Sequence, residues 1–335
     1  LAGILFAISS ISAQNNARIS ADELIYESML RTFSPEGIWP QDNQWGMHDY
    51  TREGAQGATS FNEIIAKGYG EPRSAKEFSE LAQWVNYDGH RSLFESRSQN
   101  RKGLLMWMSH SCWPSMVWQT YDYYFEPTAA YFAIKKASEP LHIQWNPVTD
   151  EVEVVNYSGG NRKGLTAKAQ VLNMDASVAW EKEVATDSNE DTTNKCIQLE
   201  FPDNLSKVHF IKMVLTENGK VISENFYHRS LEENNYQDLR NLPKVALKSD
   251  VTTNKGTDGN WNGTVVIENT TSTPALMIRV NVVGDKDGEQ FLPMFYSDNY
   301  FALLPGEKKE ISFHWKDEDT RGNAPKVVVS GYNVE

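Results

Sequence analysis

"RKGLLMWMSHSCWPSMVWQTYDYYFEP", residues 101–127, decides how the N-terminal part of this chain is read. It opens on a short apolar run at 104–108, preceded by a glycine, then passes to polar residues, a Trp-Pro step and more aromatics. It holds three tryptophans, four other aromatics, one histidine and one cysteine. A short run that is apolar on both faces suits a strand buried on both sides, as in a parallel α/β sheet. In α/β barrels, functional side chains sit at and just after the C-terminal ends of the strands. On that reading Trp107 closes the strand, and Ser109, His110 and Trp113 lie just beyond it. A flat aromatic face stacks on the C–H face of a sugar, so a tryptophan at a strand end points to carbohydrate. The competing reading of any one tryptophan is a large core residue, and that of a lone histidine beside a strand end is a structural one.

Around this stretch, residues 18–139 read mainly as helices. Ser20 with Glu23, and Ser74 with Glu77, are capping-box pairs, each followed by apolar residues at helical spacing. Gly89 is expected to interrupt or end the second of these helices. Another helix is expected over 129–138, stopped by Pro140. Beyond Pro140 the pattern alternates between apolar and polar, with turn residues between runs. Asn218-Gly219 marks a hairpin. The polar stretch "EENNYQDLRNLP" reads as a linker, and strands resume at Val245. Two successive all-β segments, 140–231 and 244–335, fit two immunoglobulin-like sandwiches.

The totals narrow the function. The chain has 335 residues and a net charge of −13. An acidic surface repels phosphate backbones, so nucleic acid and anionic membrane are poor partners, while a neutral small molecule or a sugar is compatible. Two cysteines, Cys112 and Cys196, stand far apart with no CxxC or Cys/His pairing, so neither a zinc site nor another cofactor is expected. They read as unpaired thiols. Residues 1–17, "LAGILFAISSISAQNNA", carry no charge. The apolar part is too short to cross a bilayer and reads as the core of a secretory signal, with Ala13 as a cleavage position. The mature protein is then exported; the alternative for this segment is a buried strand.

The stretch "GLLMWMSHSCWPSMVWQTYDYYFEPTAAYFAIKKASEPLHIQW" resembles the last barrel strand, and the segment after it, in glycoside hydrolase family 2. The likeness is to the exo-β-D-glucosaminidase and β-mannosidase branches. It is carried by Trp107-Met108, Trp113 with Ser115, Asp122-Tyr123, Tyr131, Lys135-Lys136-Ala137, Glu139-Pro140 and Leu141-His142-Ile143. "YSDNYFALLPGE" and "VVVSGYN" resemble that family's C-terminal immunoglobulin-like domain. The resemblance implies that residues 18–139 are the C-terminal part of a (β/α)8 TIM barrel. It places Trp107 on the floor of the sugar subsite, with Ser109, His110 and Trp113 bordering it. Many relatives carry Asn where His110 stands.

Retaining hydrolysis needs two carboxyls about 5–5.5 Å apart. In the family both precede the segment that resembles residues 26–31. The nucleophile would fall near residues 14–16, where only amides stand, and Asp22 and Glu23 read as capping carboxylates. The resemblance therefore implies a glycosidase lineage with no catalytic residue in this chain. A complete barrel takes about 250 residues, roughly twice what precedes the sandwiches here. The partners implied are a β-linked oligosaccharide and the missing N-terminal part of the barrel. Glucosamine, mannose and galactose all remain open as the sugar. The alternatives are a non-catalytic exported glycan-binding protein and a structural remnant.

Overall fold

The computed structural model describes residues 25–50, 58–96, 103–106, 109–116 and 119–335. Up to residue 140 the described elements are helices: α1 Tyr26–Thr32, α2 Asn43–Met47, α3 Ala58–Tyr69, α4 Ala75–Glu95 and α5 Ala129–Ala137. The expected helix start at Ser20 and Glu23 lies outside the described residues. The Ser74 cap is present: its hydroxyl accepts from the Glu77 amide at 3.2 Å. Glu77 reaches back one residue further than the motif requires, taking the Arg73 amide at 2.7 Å and its guanidinium at 2.9 Å.

Two expectations fail here. Gly89 neither interrupts nor ends α4, which continues for 21 residues with Gly89 buried inside it. A helical glycine costs about 1 kcal/mol relative to alanine, which packing along a buried helix outweighs. The buried strand at 104–108 is also absent where it can be seen. Residues 103–106 have no regular structure, and Leu105 is 97% exposed. Residues 107–108, and so Trp107, lie outside the described residues. An apolar run becomes a buried strand only when neighbours take up its backbone groups. Among the described residues before Leu141, strand-like pairing is limited to the bridges His110–Tyr121 and Tyr121–Pro127.

From Leu141 onward alternation becomes strands. β1 (Leu141–Asn146), β2 (Glu151–Asn156), β3 (Arg162–Asn173), β4 (Val178–Ser188), β5 (Thr192–Gln198), β6 (Val208–Glu217) and β7 (Lys220–Ser230) form two sheets, ordered β1-β2-β5 and β4-β3-β6-β7. Leu165, Ala167 and Ala169 of β3 meet Ile211, Met213 and Leu215 of β6 in the core. Asn218 and Gly219 both adopt left-handed φ, 50° and 77°, as a two-residue type I′ hairpin requires.

The second sandwich uses β8 (Lys248–Lys255), β9 (Asn260–Glu268), β10 (Ala275–Gly284), β11 (Phe295–Tyr296), β12 (Phe301–Leu303), β13 (Lys308–Lys316) and β14 (Pro325–Ser330). They are ordered β11-β13-β9-β8 and β12-β10-β14. Trp261 stacks on Trp315 at 5.5 Å inside it.

The helices pack into both sandwiches. Tyr87, Phe132 and Ala133 enter the core of the second. Leu172, Val208 and Phe210 of the first join the helical cluster around Trp45, Phe78 and Trp84. The expected linker is docked as well. It contains a 3-10 turn, Gln237–Asn241, with Leu239 buried among the helices. The Tyr236 amide donates to Gly68 O at 2.6 Å, and Arg240 donates to Glu71 O at 2.7 Å.

Where α4 ends, a buried polar chain fastens it to the first sandwich. His142 on β1 is fully buried, with Nε2 at 3.1 Å from Glu95 and Nδ1 at 3.0 Å from Glu139. Asn225 Nδ2 and the Tyr227 hydroxyl donate to the same Glu95 oxygen at 2.9 and 2.8 Å. Ser223 and Lys136 donate to Glu139. Burial alone would lower the His142 pKa, but the two carboxylates outweigh it and raise it. Glu139 is itself desolvated, yet His142 and Lys136 hold it down to about 2.

These shifts make stability depend on pH in opposite senses. The His142 share is complete below its unfolded value of about 6.5 and is lost as pH rises through the raised folded value. The Glu139 share is complete above about 4.5 and is lost as pH falls toward 2. His142→Ala leaves Glu95 and Glu139 without the imidazolium between them and should cost about 3 to 5 kcal/mol. Denaturant unfolding across pH checks this: the gap between wild type and variant should be widest between about pH 4.5 and 6.5, and should narrow in alkali.

Candidate functional site

Of the four residues the sequence nominates, Ser109, His110 and Trp113 are described and all three are exposed. Trp113 is 43% exposed, and its ring stacks on His48 at 5.9 Å, 28° from parallel. His48 follows α2, packs edge-on against Phe33 at 5.1 Å, and lies 2.6 Å through Nδ1 from Pro114 O. The Met116 amide donates to His48 O at 2.9 Å. Trp113 is thus held from behind while an aromatic face stays open.

His110 has a different partner. Its ring stacks on Phe125 at 4.5 Å, 21° from parallel, and Phe125 is 54% exposed. The backbone sets this up. Ser109 O accepts from the Thr120 and Tyr121 amides, both at 3.1 Å, which brings His110 alongside Tyr121. Phe125 has φ of 66°, left-handed for a residue with a side chain, a conformation that costs energy unless its surroundings impose it.

Asp122 imposes it. One carboxylate oxygen accepts from the Tyr124 amide at 2.8 Å and the Glu126 amide at 3.0 Å. Its carbonyl accepts from the Phe125 amide at 3.1 Å, and its own amide donates to Glu126 O at 3.1 Å. The other carboxylate oxygen accepts from the Ser28 hydroxyl of α1. The Tyr124 hydroxyl is 3.1 Å from that of Thr32, also on α1. Asp122 is fully buried, and burial raises its pKa against these hydrogen bonds.

Glu126 then ties the turn to the second sandwich. Arg279 of β10 donates to it at 3.0 Å, and Gln290 Nε2 donates to its other oxygen. The second arm of the Arg279 fork holds both oxygens of Glu27 on α1, at 3.1 and 3.0 Å. The planar guanidinium suits a site where one cation must satisfy two carboxylates.

These carboxylates are committed to hydrogen bonds and ion pairs. Among the described residues no cluster of three or more His, Cys, Asp or Glu could hold a metal. Cys112 and Cys196 are free thiols, and burial pushes Cys196 up to about 11. Chemically the region offers stacking faces and a rigid turn. Sequence reasoning named His110 and Trp113 and missed their partners His48 and Phe125. Asp122 was legible only as part of the resemblance, and nothing in the sequence signals the left-handed Phe125.

Residues 225–334 match the exo-beta-D-glucosaminidase Ig-fold domain family. The exo-beta-D-glucosaminidase of Streptomyces avermitilis is 32% identical over 305 residues, covering 82% of this chain and 34% of that protein. The crystal structure of the Amycolatopsis orientalis exo-chitosanase CsxA superposes with a TM-score of 0.85 at 27% identity, over 94% of this chain and 41% of that one. This chain is a homologue of the exo-β-D-glucosaminidases of glycoside hydrolase family 2. Mannosidases are neighbours too: a mannosylglycoprotein endo-beta-mannosidase of Lilium longiflorum is 26% identical over 357 residues, covering 86% of this chain and 37% of that protein. The chain spans about a third of the length of the curated glucosaminidases it matches, and the likeness fits their C-terminal portion.

Burial holds the Glu126 carboxyl up at about 7 in spite of Arg279. A raised folded value means that this contribution is complete below about pH 4.5 and is lost as pH climbs to about 7. The Gln variant does not titrate. Between pH 4 and 8, the stability difference between Glu126→Gln and wild type should therefore move by about 3 kcal/mol in favour of the variant. Urea unfolding of both proteins at the two pH values measures it.

Proposed function

We propose that this chain is the C-terminal portion of a retaining family 2 exo-β-glycosidase acting on β-linked glucosamine chains. The observation that carries this is its likeness to a solved exo-chitosanase over 94% of its length. Residues 18–139 then close a (β/α)8 barrel, and the two sandwiches are the accessory domains behind it. Trp107, Ser109, His110 and Trp113 border the sugar subsite, with Trp107 as its floor. The stacked, half-open faces of Trp113 and of the His110–Phe125 pair support that placement, because sugars are bound on supported flat aromatic surfaces.

The catalytic carboxylate pair belongs to sequence that residues 1–335 do not supply. The buried carboxylates Asp122 and Glu126 and the half-buried Glu27 are already engaged by Ser28, backbone amides, Arg279 and Gln290, and Asp49 beside His48 accepts from the Ser115 hydroxyl, which favours this reading. The protein is exported, as the apolar segment at 1–17 suggests.

Two measurements on the pure chain test the reading. Calorimetric titration with a β-1,4-linked glucosamine oligosaccharide should show saturable binding, weakened about tenfold or more by Trp107→Ala and by Trp113→Ala but not by Val251→Ala on the exposed edge of the second sandwich. Incubation with nitrophenyl β-D-glucosaminide should give no turnover, since losing a member of a carboxylate pair costs on the order of a hundredfold or more in rate. No binding would remove the sugar-site assignment. Saturable turnover would show that the chain carries its own carboxylates.

A further inference from the structure

The second sandwich touches the turn that presents the aromatic pair through two side chains on Glu126, Gln290 and Arg279, and only Arg279 of the two also holds Glu27 on α1. Arg279 projects from β10, whose backbone pairs with β14 on one side and β12 on the other, so its Cα is fixed within a sheet. Its guanidinium is buried and reaches two elements at once, Glu27 on α1 and Glu126 at the end of the Asp122 turn. Between Asp122 and Glu126 the chain has little freedom. Asp122 holds the amides of residues 124 and 126, and Phe125 sits between them in its left-handed conformation. The direction of the Phe125 ring, and hence its stack on His110, therefore depends on where Glu126 is anchored.

We infer that Arg279 is a positioning residue: acting through Glu126 and the Asp122 turn, it couples the C-terminal sandwich to the Phe125–His110 stack at the rim of the sugar site. That the rim binds sugar rests on the function proposed above; the coupling itself does not. Lysine does not reproduce Arg279, because an ammonium carries all its donors on one nitrogen, whereas the guanidinium reaches Glu27 from Nη1 and Glu126 from Nη2. Glutamine can replace Glu126. Its amide oxygen can accept from Arg279, and its NH2 can donate to Gln290 Oε1, which has no hydrogen-bond partner, once the Gln290 amide turns over to exchange Nε2 for Oε1.

The test uses the whole chain labelled with 13C at histidine Cε1. A ring stacked at 4.5 Å on Phe125 gives the His110 proton an upfield ring-current shift, and Phe125→Leu assigns it by abolishing that shift. The shift should collapse toward the value of an unstacked histidine in Arg279→Lys and Glu126→Ala and survive in Glu126→Gln. Affinity for the glucosamine oligosaccharide should follow the same order, falling about tenfold in the first two variants, because a displaced rim loses preorganisation. An unchanged His110 shift in folded Arg279→Lys would overturn the inference, as would its loss in Glu126→Gln. If Arg279→Lys does not fold, the contrast between Glu126→Ala and Glu126→Gln decides alone. A shift that moves as expected in a chain that binds no saccharide would keep the coupling and remove the sugar site.

Discussion

The buried polar side of helix α4 is the constraint on which the rest of the structure depends. The helix is enclosed for most of its length, yet Gln83, Asn86, His90, Arg91 and Glu95 are among its buried residues. Each such group costs several kcal/mol unless it finds a partner. His90 turns back to Asn86 O on its own helix and Arg91 in part to Asp88, while Gln83, Arg91 and Glu95 also take partners from other elements. Arg91 meets Asp88, Asn225 and Phe226 O, and lies 4.0 Å above the Tyr227 ring. Glu95 meets His142, Asn225 and Tyr227, and Gln83 accepts from the Ala129 amide that opens α5. The helix and the first sandwich therefore complete each other, which a purely apolar contact would not demand with the same geometry.

This explains what could be read in the sequence and what could not. Strand alternation, turn residues and caps are patterns written in residues a few positions apart. Alternation gave the sandwich strands, Asn218-Gly219 gave its hairpin, and Ser74 with Glu77 gave the start of α4. The junctions depend on partners far off in sequence, as in Arg279 with Glu126 or His142 with Glu95, and no local pattern announces them. The two misreadings have the same source. Gly89 looked like a break because a glycine is judged by its local cost, while α4 is held by its surroundings. Residues 104–108 looked like a strand because the run is apolar, while pairing depends on chain elsewhere.

The resemblance was more informative than local pattern, and the structure shows what its residues do. Asp122, Lys135, Lys136, Glu139 and His142 are among the marks of the family in this sequence. Asp122 fixes a turn, Lys135 donates to Tyr296 O of the second sandwich at 2.9 Å, and Lys136, Glu139 and His142 form the junction with the first. Among the described residues, marks that stay open to solvent include Trp113 and Tyr123. Much of the shared sequence is thus explained by how the helices are joined to two sandwiches.

Such a division bears on how far homology can carry the sugar. Junction residues would be kept by any relative with this architecture, whether it cleaves glucosaminides or mannosides, because removing one partner strands the others in a low-dielectric interior. They therefore report the common frame and say nothing about the 2-position of the sugar, where glucosamine and mannose differ. That distinction has to be made by groups that touch the ligand. Among the described residues, the open groups near the candidate rim are the Ser109 side chain and the faces of Trp113, His110 and Phe125, and such faces stack on many pyranosides. Stacking supplies affinity with little discrimination, whereas rejecting a wrong sugar requires polar groups left unpaired by it. Among the described residues, Glu27, Asp122 and Glu126 do not meet that description, being engaged with Arg279, Gln290 and Ser28. On the proposed function, discrimination between sugars therefore falls to polar groups other than Glu27, Asp122 and Glu126, acting alongside these faces.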